Sequence, residues 1–407
     1  MPDFYQHARI PTLHHLAVTN TGEREAEIEA WTGNKPVTLL LPALFCEFER
    51  PVLPGILSTV SRVPYVSQVV LSVNGMDAAG LKLAQAMCRK KLGDKPFRIL
   101  WNDGPASLDL RARLQQAGCA PVQSGKGSNV WTGILWLLAT GFKGIVIGHD
   151  TDISSYGREL LVKLAYPLVH PSMPYRFAKG YYARVSGRLY GRVTRLLVFP
   201  LIQAFIEELG ATPLLQHLES FRYPLAGEFA ADIETLGKFS LPSGWGLEIA
   251  MLCDAHRLLK PTEMCQVDIG SNFEHRHRRL DDDQVVDARP DAGLMTAATE
   301  VSRCLFVEIM REAGPRAARS LLKHVCDHYR PKATEWVQRY EHIALLNGLE
   351  FHRAEELCAV EMFNDAIHGI SRNWKDDATK HPPLLTPPAE ILASNPALAE
   401  SVKALAA

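Results

Sequence analysis

The chain has 407 residues, 47% of them hydrophobic and 22% charged. That is an ordinary mix for a globular protein, and the length suits one large catalytic domain with an extension. The 44 basic and 45 acidic residues leave a net charge of -1, which gives no support to a nucleic-acid binder. The cysteines, Cys46, Cys88, Cys119, Cys253, Cys265, Cys304, Cys326 and Cys358, form no C-x-x-C pair. A structural zinc site is therefore not expected, and scattered thiols in apolar segments fit a reduced cytosolic core. Residues 1–22 hold no apolar run of the kind a secretory leader needs. The most apolar central stretch, 196–206, is too short to span a bilayer. A cytoplasmic protein with no membrane span is expected.

Residues 1–35 are polar, with an acidic helical patch at 23–31. From Pro36 the pattern alternates. Strands are expected over 37–41, 68–73, 97–101 and 144–148, with helices over 51–61, 77–91, 108–117 and 129–140. Asp77 caps the second of these helices. Strands and helices alternating at this spacing argue for a doubly wound, mostly parallel α/β sheet. Further on, 176–183 reads as a strand, 195–209 and 244–259 as helices, and 263–269 as a strand. After about residue 286 only helical patterns remain, over 295–313, 317–328, 333–347 and 353–367. The tail, 374–407, carries Pro382-Pro383 and Pro387-Pro388 and is expected to wrap or fray.

The chemistry gathers in a few segments. Gly144-Ile145-Val146-Ile147-Gly148 is a buried strand that empties into His149-Asp150-Thr151-Asp152. Open α/β sheets place ligands beyond such strand ends. Two hard oxygen donors there suit Mg²⁺ or Mn²⁺, and those ions suit diphosphates. Pro42-Ala43-Leu44, with Glu47 close behind, ends the first strand where a nucleotide commonly rests. Ser124-Gly125-Lys126-Gly127 is not a P-loop, because Ala120 replaces the leading glycine and Gly127 the Ser/Thr after lysine. A lysine between glycines before a helix can still meet a phosphate.

Gly191-Arg192-Val193-Thr194-Arg195 leads into an apolar helix. Thr194 can cap it, and Arg192 offers a fork matched to phosphate or carboxylate. In Pro242-Ser243-Gly244-Trp245-Gly246-Leu247-Glu248 the glycines let backbone approach a ligand. Glu248 can accept from sugar hydroxyls or serve the helix dipole. Glu274-His275-Arg276-His277-Arg278-Arg279 offers a third metal ligand and cations for a diphosphate, or is a solvated basic loop.

Taken in order, Leu41-Pro42-Ala43-Leu44, the Gly-Lys-Gly loop, Asp150-Thr151-Asp152, Gly191-Arg192-Val193-Thr194-Arg195, Pro224-Leu225-Ala226-Gly227-Glu228, the segment at 243–248 and His275-Arg276-His277-Arg278 resemble one family. The chain is similar, over roughly 36–285, to the glucosyl-3-phosphoglycerate synthases, retaining glycosyltransferases of the GT-A fold. The resemblance implies a GT-A domain over 36–285, with a nucleotide-sugar half at 36–152 and an acceptor half at 153–285. Around it lie an N-terminal segment, 1–35, and a helical C-terminal extension, 286–407.

It implies transfer of glucose from UDP-glucose to the 2-hydroxyl of 3-phosphoglycerate, dependent on Mg²⁺ or Mn²⁺. Asp150, Asp152 and His275 would hold the metal, with His277 a rival for His275. Pro42, Ala43, Leu44, Glu47, Lys126, Asp150, Thr151 and Arg278 would bind the donor, joined by Ser72 or Asn74. Gly191, Arg192, Val193 and Thr194 would bind the acceptor. Asp152, Glu248 and the backbone carbonyl of Leu225 would serve catalysis. GDP-mannose as donor, as in mannosyl-3-phosphoglycerate synthases, and a non-catalytic sugar-nucleotide binder stand as alternatives. A dehalogenase-type phosphatase fits less well, because its motif wants Thr or Val where Ser154 stands. The helical extension is expected to pack on the core or to form a homodimer contact.

Overall fold

The computed structural model of the chain describes residues 6, 8–17, 19–33, 35–270, 292–313, 318–374 and 384–406. The strands, in chain order, are β1 (Thr12–Leu13), β2 (Val37–Leu44), β3 (Val66–Asn74), β4 (Phe97–Trp101), β5 (Ile145–Gly148), β6 (Phe177–Tyr182), β7 (Val185–Ser186), β8 (Arg188–Leu189), β9 (Phe229–Asp232) and β10 (Met264–Gly270). Eight of them form one sheet in the order β1-β10-β6-β9-β5-β2-β3-β4, and β7 pairs with β8 as a small hairpin. Every pairing in the large sheet is parallel except those of β9, which runs antiparallel to both β5 and β6.

The central strands are almost continuous Val, Leu and Ile because helices cover both faces. Alternate residues therefore enter different cores. Leu40, Val70 and Val146 pack with Trp131 and Ile134 of the helix Lys126–Ala139. Leu39, Leu41, Val69, Leu71 and Ile147 pack with Leu53, Ile56 and Leu57 of the helix Val52–Val60. β2 runs on through Pro42, three residues beyond the expected end. β5 stops at Gly148 opposite Leu40, so beyond that point β2 pairs only with β3. A strand with one open side tolerates a proline. The same early stop of β5 opens the space into which Asp150 and Asp152 emerge.

Other expectations shift at their edges. The helix expected from 129 begins at Lys126, so Lys126 and Gly127 are its first residues rather than a loop. The two helices expected at 317–328 and 333–347 are one, Ala318–Leu346, with Pro331 inside it. Tertiary packing outweighs the hydrogen bond that Pro331 removes. Tyr329, Ala333 and Val337 are buried on either side of it, and the Tyr329 hydroxyl donates to Leu196 O at 2.7 Å.

The N-terminal segment is tied into the sheet. β1 lies beside β10, and Trp31 of the helix Thr21–Trp31 packs edge-on against Tyr166, 5.4 Å between centroids. The tail wraps back over the sheet's flanking helices. Leu385 N donates to Leu241 O at 2.8 Å, and Trp131 Nε1 donates to Thr386 O at 2.9 Å. Two short helices, Pro388–Ser394 and Leu398–Lys403, then cover the helix Lys126–Ala139. Among the described residues no helix is long and apolar enough to cross a membrane.

Candidate active site

At the end of β5 the chain turns so that Asp150 and Asp152 both line one cavity of about 470 Å³. His149 steadies the turn. Its Nδ1 lies 2.8 Å from Asp150 O and its Nε2 lies 3.0 Å from the Tyr156 hydroxyl. Opposite, Gly227 leaves room for the Asp150 carboxylate, since a Cβ there would sit 2.6 Å from Oδ2. The Pro224-Leu225-Ala226-Gly227-Glu228 segment is thus pressed against the first aspartate by the absence of a side chain.

Lys126 reaches the same point from the first turn of its helix. Its Nζ lies 2.6 Å from Asp150 Oδ1 and 2.8 Å from Glu248 Oε1. Burial works against the ammonium, but the two carboxylates outweigh it and hold the Lys126 pKa above its ordinary value. The glycines around Lys126 serve close packing. A Cβ at Gly125 would meet Ser243 O at 2.4 Å, and one at Gly127 would meet Pro242 O at 1.9 Å. Ser128 N donates to Ser243 O at 3.0 Å, so one of the helix's first N–H groups is already bonded.

The loop at 242–248 is pinned from its other side by the helix Ala292–Ala313. Glu300 Oε2 accepts from Trp245 N at 2.7 Å, and Cys304 Sγ donates to Gly246 O at 3.3 Å. Glu248 in turn opens the helix Leu247–Leu258, where its carboxylate is nearly buried.

Arg184, Arg188 and Arg192 add cations to the same lining. Gly191 takes a left-handed φ of 76° with Tyr223 close by. The chain then enters a π-helical turn, Val193–Val198, before the α-helix Phe199–Leu209. Thr194 therefore does not cap a helix. It sits inside the π-turn, and its buried Oγ1 has no hydrogen-bond partner among the described residues. Arg192 Nε donates to Glu356 Oε1 at 2.7 Å, and its terminal nitrogen donates to Glu355 Oε2 at 2.8 Å.

Of the residues singled out by sequence, Lys126, Asp150, Asp152, Gly191, Arg192, Val193, Thr194, Leu225 and Glu248 line this one cavity. Others lie beside it. Ser72 is fully buried and accepts from Asn102 Nδ2 at 2.9 Å. Asn74 donates to Ser124 Oγ at 2.8 Å and to Asp103 Oδ1 at 3.2 Å. Thr151 is buried with its hydroxyl 3.5 Å from Pro42 O. Pro42 and Ala43 end the buried run of β2, Leu44 is exposed beyond them, and Glu47 pairs with Arg50. His275, His277 and Arg278 lie outside the described residues.

Sequence reasoning missed part of the wall. Tyr182, Arg184, Arg188, Tyr190 and Tyr223 also line the cavity. The available signal was Arg184, Arg188, Arg192 and Arg195 crowded into one short stretch. Glu350, Phe351, His352 and Glu356 complete the wall from the helical extension. Nothing local in the sequence announced them.

No protein-family model matches the chain. Glucosyl-3-phosphoglycerate synthase of Persephonella marina is 34% identical over 378 residues, covering 93% of this chain and 91% of that protein. The chain belongs to the glucosyl-3-phosphoglycerate synthase family. The family enzyme of Methanococcoides burtonii is 30% identical over 92% of this chain and 90% of its own length. Among solved structures, the Mycobacterium tuberculosis family enzyme in complex with Mn²⁺, UDP-glucose and phosphoglyceric acid superposes with a TM-score of 0.52. It is 24% identical and covers 74% of this chain and 88% of that one. That likeness is one of fold, and the GT-A architecture expected from the sequence stands.

Family membership raises the question of whether the residues present fit a divalent ion. Asp150 and Asp152 supply hard oxygen donors facing one cavity, and Gly227 provides the cradle for the first. Among the described residues no third His, Cys, Asp or Glu completes a set. The histidines expected for that role, His275 and His277, lie beyond them. The two carboxylates would supply hard oxygen donors to Mg²⁺ or Mn²⁺, ions that ordinarily keep water and phosphate ligands as well.

Proposed function

We propose that this chain transfers glucose from UDP-glucose to the 2-hydroxyl of 3-phosphoglycerate with retention of anomeric configuration, dependent on Mg²⁺ or Mn²⁺. The observation that carries the proposal is one cavity lined by two unlike sets of charged groups. An acidic couplet and a lysine converge there, with Asp150, Asp152, Lys126 and Glu248 together. Arg184, Arg188 and Arg192 line the same cavity with Thr194, and the charge of Asp152 acts on Arg184. A nucleoside diphosphate with its metal suits the first set, and a small phosphorylated acid suits the second. Curated relatives that bear the family's name over nine-tenths of this chain support the same pairing.

The ion held by Asp150 and Asp152 would neutralise negative charge on the diphosphate as the glycosidic bond breaks. The chain's own groups do the rest. Lys126 adds a cation beside the departing phosphates, and Glu248 holds sugar hydroxyls so that the anomeric carbon faces the acceptor. Arg192 and Thr194 grip the anionic end of the acceptor. The backbone carbonyl of Leu225, a residue of the cavity lining, accepts from the acceptor's 2-hydroxyl and turns it toward the sugar. That hydroxyl attacks the anomeric carbon from the side on which UDP leaves, and its proton passes to a phosphate oxygen of UDP.

A matrix of UDP-glucose, GDP-glucose and GDP-mannose against 3-phosphoglycerate and glycerate, with Mg²⁺ or Mn²⁺, tests the proposal. Glucosyl-3-phosphoglycerate from UDP-glucose is the expected product. Faster transfer from GDP-mannose, or release of phosphate without any transfer, would overturn it. The proposal extends to a cytoplasmic homodimer. All eight cysteines are free, as a reducing compartment requires. Leu345 and Leu346, at the end of the helix Ala318–Leu346, stand 71% and 86% exposed, an apolar patch suited to a second copy. Sedimentation equilibrium decides the oligomeric state.

A further inference from the structure

The helical extension does more than cover the core, because it supplies the carboxylates that hold Arg192. Glu356, in the first turn of the helix Arg353–Arg372, has a side chain only 6% exposed. It pairs with Arg192 at 2.7 Å and with Arg195 at 2.9 Å. Arg195 is itself fixed. Its Nε donates to Tyr190 O at 2.9 Å, and its guanidinium lies 4.7 Å from the Tyr340 ring centroid. The anchor continues through Glu350, whose N–H donates to Gly187 O at 2.9 Å beside the hairpin. Glu355 differs. It accepts from the terminal Nη2 of Arg192 at 2.8 Å, and its side chain is half exposed. The hydrogen bond from Arg192 keeps the Glu355 carboxylate below its ordinary pKa, so it stays a monoanion.

We propose that Glu356 is a positioning residue that presets Arg192 for the acceptor, and that Glu355 is a built-in competitor for the Arg192 terminal nitrogen that an acidic acceptor takes. The proposal rests on the assignment of Arg192 to the acceptor. The physical basis is the contrast in exposure. An exposed ion pair is weak and exchangeable, whereas a buried carboxylate between two arginines is lost only at high cost. A phosphate brings more charge and more acceptor oxygens than Glu355 and displaces it. Thr194 lines the same wall, and its buried hydroxyl has no hydrogen-bond partner among the described residues. Glu355 thereby sets a threshold. Strongly charged acceptors displace it, and weakly charged ones do so poorly.

The test compares wild type with Glu355→Gln, Glu356→Gln and Glu356→Asp by acceptor kinetics and by calorimetry with 3-phosphoglycerate and with glycerate. Glu361→Gln serves as a control, since Glu361 pairs with Arg330 on an exposed face of the same helix. Glu355→Gln is expected to lower KM and Kd for 3-phosphoglycerate about two- to fivefold, the scale of one exposed ion pair. It should also narrow the preference over glycerate and leave the UDP-glucose KM unchanged. Glu356→Gln is expected to raise the acceptor KM about tenfold or more, as expected when a buried pair is broken, with partial rescue by Glu356→Asp. Unchanged or raised acceptor constants in Glu355→Gln would overturn the proposal. Because Glu355 is exposed, that result stands even if the Glu356 variants fail to fold. Wild-type protein that neither binds nor glucosylates 3-phosphoglycerate would instead sink the assigned function.

Discussion

Lys126 Nζ lies 2.6 Å from Asp150 Oδ1, so the ammonium touches the carboxylate through which a divalent ion would be bound. The same nitrogen bridges to Glu248 at 2.8 Å. One cation thus ties the first carboxylate of the couplet to the glutamate proposed to hold the sugar. Lys126→Met leaves Asp150 and Glu248 facing each other without it. Turnover is expected to fall about 100-fold, the scale of one lost charge-stabilising group. Calorimetric Mn²⁺ affinity should not fall, because Asp150 loses a competitor. Steady-state kinetics with a parallel Mn²⁺ titration checks both. Near-normal turnover would show that the lysine only fills space.

Gly227 tests the couplet from the opposite side. A Cβ there would lie 2.6 to 2.7 Å from three atoms of the Asp150 carboxyl group. The clash is with the end of a side chain rather than with backbone, so rotation relieves it at the cost of the Asp150 pair with Lys126, while Glu248 still holds the ammonium. Gly227→Ala is therefore expected to keep its melting temperature within a few degrees. Mn²⁺ affinity and turnover should each fall tenfold or more, because the carboxylate can no longer point where it does. Equal loss of stability and activity would contradict this division.

Gly127 makes the contrasting case. Its added Cβ would meet Pro242 O, a backbone atom, at 1.9 Å, with Gly244 O at 3.1 Å. No rotamer relieves that contact, so the helix Lys126–Ala139 and the loop at 242–248 must separate. Gly127→Ala is expected to destabilise the fold by about 1–3 kcal/mol, the usual cost of overpacking. The donor KM should rise as Lys126 and Glu248 move apart. Urea unfolding and donor kinetics on the same preparation measure the two effects.

The segments that carry charge were legible because their chemistry is local. Asp150 and Asp152 follow a run of β-branched residues, and the sheet puts that strand end where the alternation of strands and helices requires. What escaped depends on distant contacts. Gly125 and Gly127 look like a phosphate loop, yet they are small because residues 242–244 pack against them. Thr194 looks like a helix cap, but the helix starts with a π-turn and buries it. Pro331 reads as a break, yet the burial of Tyr329 and Ala333 carries the helix through it. Glu355 and Glu356 resemble an ordinary acidic first turn. Only the return of the extension to Arg192 gives them another role.

Lys179 yields a prediction with a definite sign. It sits on β6, 1% exposed, and donates to Ala226 O beside Gly227. Burial pushes its pKa down from 10.5 to about 8, with Glu248 and Glu228 pulling the other way. Between those two values the unfolded chain holds a proton that the folded chain has released. Stability contributed by this group therefore rises with pH across that window. Below pH 8 the lysine is charged in both states, and the full cost of burying the ammonium is present. Lys179→Met removes the titration. The difference in unfolding free energy, variant minus wild type, should be flat below pH 8 and should shrink steadily between pH 8 and 10.5. Urea unfolding of both proteins at pH 7, 8, 9 and 10 measures it. A difference that stays constant or widens over that range would mean that Lys179 keeps its proton in the fold, and that the bond to Ala226 O offsets the cost of its burial.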